Sequence, residues 1–536
     1  MHSDRVFGVV GSGNFHLVNA LRAAGLEFVA ARHEGGAATM ADAYARVSRR
    51  SGVVAVHQGP GLTNALTGIT EAAKSRTPLL VLVPEVTSPR SNFHIELDAL
   101  AKGVGASFVR ARTAADIPTP RELAAVGTVM VALPLDVLAS DVDSVSEANE
   151  RVTLPVAVAE PEGDRLFPAS AAEPLIEQIA AAHRPVFIAG YGAVLAEAGD
   201  AIAELADRCG ALLAVSARAK GLFARHPFYL DVSGGFASPL AAELIQGADL
   251  VVAWGASLGM WTTRHGRLIG PEAKVAQVAM RAEDLGARHR VDCGVVGDAR
   301  KVAECIDDAL AQRGFSGQGY RSAALRERIA GAIHWRNVPY EDESDGERID
   351  ARTLTIALDD ALPVERIVAV DSGNFMGYPS MYLRVPDERG FCFTQAFQSI
   401  GLGLATAIGA ALARPDRVPV AALGDGGFLM SVAELETVVR LGLPMLIVVY
   451  DDAAYGAEVH HFAPGGHPLE TVTFPDRDLC AIGRGFGCDA IMVRSLADLA
   501  PMHSWLLGPR ERPLLIDAKV TAKRGSWWLE EAFVGH

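Results

Sequence analysis

The sequence predicts an α/β protein with three doubly wound parallel-sheet domains. Short runs of Val, Ile and Leu end in Gly, Pro or Asp and alternate with Ala-rich stretches of helical length. This alternation is typical of parallel sheets that carry helices on both faces. The chain has 536 residues, which is enough for about three or four domains at roughly 150 residues each.

The first domain is expected within residues 1–150. A polar, Pro-containing segment without periodicity, at 141–167, is predicted to follow it as a linker. The predicted strands are 6–10, 28–31, 53–56, 79–83 and 129–133, and the predicted helices are 15–24, 37–46 and 62–73.

A middle α/β domain is expected at 165–312 and a third domain at 350–530, separated by a charged segment with one long helix. Middle-domain strands at 186–189 and 250–254 run into Gly190 and Gly255. Glycine at these points fits either a tight turn or a nucleotide site, and the sequence leaves both open. The third domain repeats the pattern with strands at 367–370, 418–423 and 445–450.

Composition narrows the classes of partner. Lys and Arg number 49 against 64 Asp and Glu, a net charge of −15, which opposes binding to nucleic acid or to an anionic membrane surface. The apolar runs are far shorter than the ~20 residues that span a bilayer. The six cysteines lack zinc-ligand spacing, and the N-terminal segment shows no secretion signal. We therefore expect a cytoplasmic protein whose partner is a small molecule.

The clearest chemical motif follows the predicted strand at 418–423, which leads into Gly424-Asp425-Gly426-Gly427. Glycines at a strand end let backbone N–H groups approach a phosphate. Asp425 would repel that phosphate unless a divalent cation lay between them. Asp452 follows the next strand, 27 residues later, so both carboxylates can meet at one sheet edge. Oxygen ligands beside a diphosphate predict Mg²⁺.

This pair of motifs resembles the thiamine diphosphate motif, in which GDG is followed one strand–helix–strand unit later by NN. The resemblance extends over nearly the whole chain. It identifies a member of the superfamily of acetolactate synthases, benzoylformate decarboxylases and pyruvate decarboxylases, most similar to acetolactate synthase large-subunit-like proteins. It implies a pyrimidine-binding, a middle and a diphosphate-binding domain, with thiamine diphosphate and Mg²⁺ as cofactors.

The resemblance also assigns cofactor contacts. Asp425, Asp452 and the Ala454 carbonyl would be the metal ligands. Asp451-Asp452 replaces the two asparagines of the family, and the extra negative charge is expected to make the site more dependent on the metal. Ile400 resembles the residue that holds the cofactor in its bent form. The remaining expected contacts are Glu34, Asn64, Gly373, Asn374, Phe375, Gln398, Ser399, Gly424, Gly426, Gly427, Tyr455 and Gly456.

Four residues resemble catalytic groups of the family. Glu34, in an Arg-His-Glu motif, would hydrogen-bond the aminopyrimidine ring, although a glutamate at a helix start is often only a cap. His57 matches an active-site histidine of benzoylformate decarboxylases, but a histidine ending a strand can also be a core residue. Glu458 matches a glutamate of pyruvate decarboxylases or is an exposed helix residue. Ser12 falls where relatives present a residue to the substrate.

The implied activity is decarboxylation of a 2-oxo acid to an enamine, which is then protonated or added to a second carbonyl. Resemblance over the whole chain favours acetolactate synthases, whereas His57, Ile400 and Glu458 favour decarboxylases. A benzoylformate or other aryl 2-oxo acid decarboxylase, and a catalytically silent cofactor-binding homologue, remain alternatives. The resemblance implies a homodimer or dimer of dimers with active sites at the subunit interface. FAD is not expected, because Met280 stands where an acidic ribose ligand would be sought.

Overall fold

The computed structural model describes residues 3–113, 116–138 and 167–532. This part of the chain contains three sheets of six strands each, and every strand pairing within them is parallel. The predicted fold class is therefore confirmed. Most of the linker predicted at 141–167 lies outside the described residues, and the domain limits stay a prediction.

The first sheet has the strand order β2-β1-β3-β4-β6-β5. Its first strand ends at Gly8, two residues before the predicted end, and its second helix begins at Glu34, three residues before the predicted start. The elements are β1 (Arg5–Gly8), α1 (Phe15–Ala23), β2 (Glu27–Ala30), α2 (Glu34–Ser48), β3 (Gly52–Ala55), α3 (Pro60–Lys74), β4 (Leu79–Glu85), α4 (Leu97–Val104), β5 (Ser107–Arg110), α5 (Pro120–Val126), β6 (Thr128–Pro134) and α6 (Leu135–Leu138).

The middle sheet has the order β12-β11-β10-β7-β8-β9. A Cβ on Gly190 would lie 2.4 Å from the Gly255 carbonyl oxygen, so these two loops pack directly on each other and close packing explains the glycines. The elements are α7 (Ala169–Ala181), β7 (Pro185–Ala189), α8 (Tyr191–Leu195), α9 (Gly199–Cys209), β8 (Leu212–Val215), β9 (Tyr229–Val232), α10 (Pro239–Gln246), β10 (Leu250–Trp254), α11 (Met260–Thr263), β11 (Lys274–Ala279), β12 (Cys293–Val296), α12 (Ala299–Gln312) and, within the charged segment, α13 (Ala323–Ala332).

The third sheet has the order β14-β13-β15-β16-β18-β17. Because β15 and β16 are parallel neighbours with Gly424 opposite Tyr450, the loops after them open at one edge. The elements are α14 (Ala351–Ala361), β13 (Arg366–Val370), α15 (Gly377–Tyr382), β14 (Phe391–Phe393), α16 (Gly403–Ala413), β15 (Val418–Gly424), α17 (Asp425–Ser431), α18 (Glu434–Arg440), β16 (Leu446–Asp451), α19 (Gly456–Phe462), α20 (Leu479–Phe486), β17 (Asp489–Val493), α21 (Ala500–Leu507), β18 (Leu514–Lys519) and α22 (Trp527–Ala532).

The first and third domains share one hydrophobic core. Helices α2 and α16 are rich in Ala and Gly, and their buried side chains belong to a single cluster that includes Met40 and Ile408. Small residues let the two backbones approach closely. A Cβ on Gly409 would lie only 2.2 Å from the Met40 carbonyl oxygen. Among the described residues, no helix has the length and apolar character needed to cross a bilayer.

Candidate active site

A cavity of about 720 Å³ opens between the middle and third domains. Its third-domain wall is formed by strand ends and the loops that follow them. Most of the predicted cofactor residues lie in this wall. They are Gly373, Asn374, Phe375, Gln398, Ile400, Gly424, Asp425, Gly426, Gly427, Asp452, Ala454, Tyr455 and Gly456, and the predicted catalytic Glu458 lies there with them. Ser399 is outside the lining, and its hydroxyl donates to the Ile400 carbonyl at 3.2 Å.

Two carboxyl groups meet at the sheet edge, as the strand order requires. Asp425 is the first residue of α17, and Asp452 follows β16. Burial, reinforced by the charges of Asp452 and Asp451, raises the pKa of Asp425 to about 8. Burial and then the Asp451 charge raise the pKa of Asp452 to about 7. A divalent cation would stabilise the ionised form of such a pair, in which both carboxyl groups have raised pKa values.

The loop that contains Gly426 and Gly427 is packed too closely to accept a side chain at either position. A Cβ on Gly426 would lie 2.6 Å from Cε1 of Tyr455, and a Cβ on Gly427 would lie 2.3 Å from Oδ2 of Asp371. Backbone N–H groups free of side chains can approach a phosphate. The loop and the acid pair together fit a diphosphate bound with Mg²⁺.

Asp371 joins the two loops that border this cradle. Its carboxylate accepts hydrogen bonds from the backbone N–H groups of Ser372 at 2.8 Å, Gly401 at 3.0 Å and Leu402 at 3.2 Å. Burial raises the pKa of Asp371 to about 6. These contacts fix the backbone that presents Ile400 to the cavity.

The C-terminal helix fastens the loop that carries Asn374. The backbone N–H of Ser526 donates to Asn374 Oδ1 at 2.9 Å, and Trp528 Nε1 donates to the Asn374 carbonyl at 3.0 Å. Trp528 also lines the cavity and packs against Trp261 of the middle domain, with ring centroids 5.7 Å apart. Helix α22 therefore closes one side of the site.

Asp451, the first of the two aspartates that replace the asparagines of the family motif, is turned towards a buried lysine. Lys519 Nζ lies 2.6 Å from Asp451 Oδ2, 2.6 Å from Asp476 Oδ1 and 3.2 Å from Asp517 Oδ2. The Asp451 Oδ1 atom accepts from the Ala453 N–H at 3.0 Å. The protein thus supplies its own countercharge for Asp451, whereas Asp452 forms no ion pair in the described part of the chain.

The remaining predicted catalytic residues form a separate group in the first domain. Asn64 Nδ2 donates to Oε2 of Glu34 at 3.1 Å. His57 Nδ1 lies 2.8 Å from the Gln58 carbonyl, and its Nε2 lies 3.4 Å from Oγ of Ser12. A backbone carbonyl can only accept, so Nδ1 carries the proton when the ring is neutral and Nε2 faces Ser12 as an acceptor.

Glycines make room for this group. A Cβ on Gly11 would lie 2.3 Å from Cδ2 of His57, and a Cβ on Gly61 would lie 3.3 Å from Oε1 of Glu34. None of Ser12, Glu34, His57 and Asn64 lines the cavity between the other two domains. A single chain therefore brings the predicted site residues together as two separate groups.

Comparison with known families agrees with this geometry. Residues 1–102 match the family model "Thiamine pyrophosphate enzyme, N-terminal TPP binding domain", residues 172–306 match the central domain, and residues 371–518 match the C-terminal TPP binding domain. The chain belongs to the thiamine pyrophosphate enzyme family.

Individual relatives show which members it resembles. A sulfoacetaldehyde acetyltransferase of Alcaligenes xylosoxydans xylosoxydans is 29% identical over 93% of this chain and 87% of its own length. A putative acetolactate synthase large subunit of Mycobacterium tuberculosis is 29% identical over 90% of this chain and 89% of its own length. A probable 2-ketoarginine decarboxylase of Pseudomonas aeruginosa is 30% identical over 92% of this chain and 88% of its own length.

Three residues of the site were not anticipated from the sequence. Arg218 and Trp528 line the cavity, and Lys519 contacts Asp451, the residue before Asp452. Only one feature of the sequence indicated that Lys519 belongs to the site, which is that a lysine stands at the end of the apolar strand β18. Arg218 and Trp528 lie in no motif, because each reaches the site through packing of distant segments.

Proposed function

We propose that this protein is a thiamine diphosphate- and Mg²⁺-dependent 2-oxo acid decarboxylase or carboligase, similar to acetolactate synthase. The observation that carries the proposal is the Asp425–Asp452 pair, whose pKa values are raised, beside a glycine loop in the wall of a large cavity. The three matched domains and the decarboxylase and synthase relatives support the same reading.

The residues present fit both cofactors. Asp425, Asp452 and the Ala454 carbonyl would hold Mg²⁺, and the backbone around Gly426 would face the diphosphate. Bound thiamine diphosphate supplies a carbon nucleophile and an electron sink for cleavage of the bond to the carboxylate. Ile400 would support the ring system from the third domain. The other proposed contacts are Asn64, Gly373, Asn374, Phe375, Gln398, Ser399, Gly424, Gly427, Tyr455 and Gly456.

The chain's own acids and bases would move the protons. Glu34 would share a proton with the aminopyrimidine ring, and Asn64 would orient the Glu34 carboxylate through the bond at 3.1 Å. His57, held by the Gln58 carbonyl, presents Nε2 and can exchange a proton with substrate. Ser12 would orient that nitrogen. Glu458 offers an exposed carboxylate at the cavity wall.

We further propose that a complete site needs two chains. Asn64 and Ser12 are exposed in the single chain and Glu34 is half-buried, yet all lie outside the cavity that holds Asp425. A homodimer, or a dimer of dimers, would place the first domain of one subunit against the cavity of the other. Each active site would then be shared.

The absence of flavin stays part of the proposal. Met280 follows β11 and is 65% exposed, so this strand end offers a thioether and no carboxylate for a ribose. A cytoplasmic location is also proposed. All six cysteines are free thiols and four are buried, as expected in a reducing compartment.

An aryl 2-oxo acid decarboxylase of the benzoylformate type is a second candidate, favoured by the Ser12–His57 contact. A silent cofactor-binding homologue is a third. Incubating the Mg²⁺/thiamine diphosphate holoenzyme with a panel of alkyl and aryl 2-oxo acids separates them. Mass spectrometry would show aldehydes from a decarboxylase, acyloins from a carboligase and neither product from a silent homologue. Glu34→Gln is the inactive control.

His57 gives a second test of the proposed chemistry. We expect His57→Ala to lower turnover about 10²- to 10⁴-fold, the usual contribution of a positioned acid–base group, while cofactor affinity changes little. Single-turnover rates, the cofactor dissociation constant and the melting temperature would be measured together. Wild-type turnover with a lowered melting temperature would show that His57 has only a structural role.

A further inference from the structure

Four aromatic side chains line the cavity where the middle domain meets the third domain. Phe236 and Trp261 belong to the middle domain, Phe393 ends β14 and Trp528 lies in α22. The Phe236 ring centroid lies 5.9 Å from that of Phe393 and 6.4 Å from that of Trp528. These four residues are termed the aromatic wall. Phe236, Trp261 and Phe393 are only partly buried, so their rings keep surface that a ligand in the cavity can contact.

Backbone contacts hold the middle-domain part of the wall in place. The Gly235 N–H donates to the Trp261 carbonyl at 3.1 Å. The Ser233 hydroxyl donates to the Thr262 carbonyl at 2.8 Å. The loop that leads into Phe236 and the turn that carries Trp261 are therefore tied to each other. A wall that is ordered before a ligand arrives loses little entropy on binding.

A glycine leaves open space beside these rings. Gly235 lines the cavity, and a Cβ there would lie 3.9 Å from Cε3 of Trp261 and from Cβ of Trp528. Among the described residues beyond its chain neighbours, these are the nearest atoms. The preceding Gly234 differs, because its φ is +97° and a Cβ would lie 1.9 Å from the Trp261 carbonyl oxygen. Packing thus requires a glycine at 234, whereas the φ of Gly235 is not positive and its missing side chain leaves room for a ligand.

The aromatic wall adjoins an element that carries a proposed catalytic group. Glu458 and its neighbour Ala457, both in α19, line the same cavity. Ala457 packs on the hydrophobic cluster that contains Trp528, and Phe236 and Trp261 pack on this cluster too. The volume of about 720 Å³ is within the usual range for small-molecule sites. One ligand would therefore reach both Glu458 and the aromatic wall.

We propose that the aromatic wall binds the side chain of the substrate, and that the substrate class is a 2-oxo acid with an aryl side chain. This inference rests on the proposed function. Aromatic rings attract one another in offset-stacked and edge-to-face contacts, and the gain exceeds that from buried area alone. An aryl group placed beside Gly235 would contact the Trp261 ring. An aliphatic group of the same size would gain only the area contribution.

Three 2-oxo acids test this preference. Phenylpyruvate and cyclohexylpyruvate carry rings of similar size that differ in aromaticity, whereas pyruvate carries only a methyl group. With the Mg²⁺/thiamine diphosphate holoenzyme we expect kcat/KM for phenylpyruvate to exceed that for cyclohexylpyruvate about 2- to 10-fold, the usual gain from an aromatic contact. The excess over pyruvate should be larger. An equal or higher value for either of the other two acids would overturn the proposal.

Variants of the wall locate the preference. Gly235→Leu should lower kcat/KM for phenylpyruvate roughly 10- to 200-fold more than for pyruvate, as when a pocket loses room for a methylene group. Trp261→Leu should abolish the preference for phenylpyruvate over cyclohexylpyruvate, and Trp261→Phe should retain part of it. Gly331→Leu is the matched control, because Gly331 is exposed in α13 and a Cβ there meets nothing within 4 Å outside its own helix. It should change no value.

Two other outcomes would overturn the proposal. If Gly235→Leu lowered kcat/KM equally for all three acids and weakened thiamine diphosphate binding, the wall would contact the cofactor and not the substrate. If the losses were equal and came with a lower melting temperature, Gly235 would have a structural role. The cofactor dissociation constant and the melting temperature would therefore be measured for each variant.

A binding measurement separates this inference from the proposed function. Calorimetric titration of holoenzyme with phenylpropanoate, and with cyclohexylpropanoate as its aliphatic counterpart, requires no turnover. Tighter binding of phenylpropanoate that is lost in Gly235→Leu would support the aryl subsite even if no 2-oxo acid were decarboxylated. Decarboxylation of 2-oxo acids without any dependence on Gly235 or Trp261 would leave the proposed function intact and refute the subsite.

Discussion

At the scale of single residues, the Asp451–Lys519 pair explains how the sheet edge that carries Asp425 and Asp452 tolerates a further aspartate. The sequence alone predicted an extra negative charge beside Asp452. The structure shows that Asp451 lies 2.6 Å from the Lys519 ammonium and that both side chains are buried. Part of the charge is therefore neutralised inside the protein, and Asp452 is left to face the Mg²⁺ that we propose.

Lys519→Met is expected to destabilise the protein by about 3–5 kcal/mol, because it leaves the buried carboxylates of Asp451 and Asp517 without a countercharge and leaves Asp476 paired only with Arg348. Asp451→Asn should cost less, since Lys519 keeps its other two partners. The double variant should recover part of the loss. Denaturant unfolding measures each free energy of unfolding. Lys523→Met removes an exposed ion pair with Asp345 and should cost at most about 1 kcal/mol; equal losses at both lysines would contradict this account.

Asp425 and Asp452 make stability depend on pH and metal. Their raised pKa values, about 8 and about 7, mean that the metal-free fold binds more protons than the unfolded chain. Their stabilising contribution is full below the unfolded pKa of about 4 and is lost as pH rises through about 7 to 8. The contribution of this pair to the melting temperature of the metal-free protein should therefore decrease as the pH rises from about 5.5 to about 8.5.

Added Mg²⁺ should have the opposite dependence, because it binds the ionised pair and its stabilising effect grows over the same interval. Scanning fluorimetry with and without Mg²⁺ measures both effects. Asp425→Asn should flatten the two pH profiles. A stabilisation by Mg²⁺ that is equal at both ends of the interval would show that these carboxyl groups are not its ligands.

At the scale of elements, the position of Glu34 depends on two domains. Glu34 begins α2, and the His33 side chain caps this helix by accepting from the Gly35 N–H at 3.1 Å. The carboxylate of Glu434, in α18 of the third domain, accepts from the backbone N–H groups of Arg32 and His33, both at 3.1 Å. The strand-to-helix turn is therefore held by its own sequence and by a distant helix.

The packing of α2 on α16 is also open to a test. Gly409→Ala would place a methyl group against the Met40 carbonyl, where the free distance is 2.2 Å, so the helices must separate. We expect a loss of about 1–3 kcal/mol from overpacking, measured as the free energy of unfolding. Gly485→Ala in α20 meets nothing within 4 Å and should be neutral or stabilising. A neutral Gly409→Ala would mean that this contact is easily relaxed.

The limits of sequence reasoning follow from the range of the contacts. Parallel strands, and the residues at their ends, could be predicted because the apolar pattern and the glycine motifs are local. The start of α2 was misplaced by three residues, since its cap is a histidine and its first turn contains two glycines. Arg218 and Lys519 could not be assigned, because their partners are brought together only by the fold of separate segments.

At the scale of the whole molecule, the predicted active-site residues are divided between two surfaces. The cavity with Asp425 lies between the middle and third domains, and the group with Glu34 lies on the first domain. The α2–α16 contact fixes the first domain against the third within one chain. We therefore propose that the two groups act on one cofactor in an assembly in which a second chain supplies the missing half.

This assembly predicts complementation between two inactive variants. Glu34→Gln and Asp425→Asn homodimers should each be inactive, because every site lacks either the ring contact or the metal ligand. A mixed dimer would contain one site with both defects and one site with neither. Heterodimers purified with two different affinity tags should therefore show about half of the wild-type activity per dimer, with wild-type KM at the restored site.

Light scattering would confirm that the purified species is a dimer, and a heterodimer of two differently tagged Glu34→Gln chains is the matched control. If Glu34 and Asp425 instead acted within one chain, each subunit of the mixed dimer would carry one defect and no activity would return. Because the two arrangements predict half activity and none, the experiment determines directly whether Glu34 serves the cavity of its own chain or that of its partner.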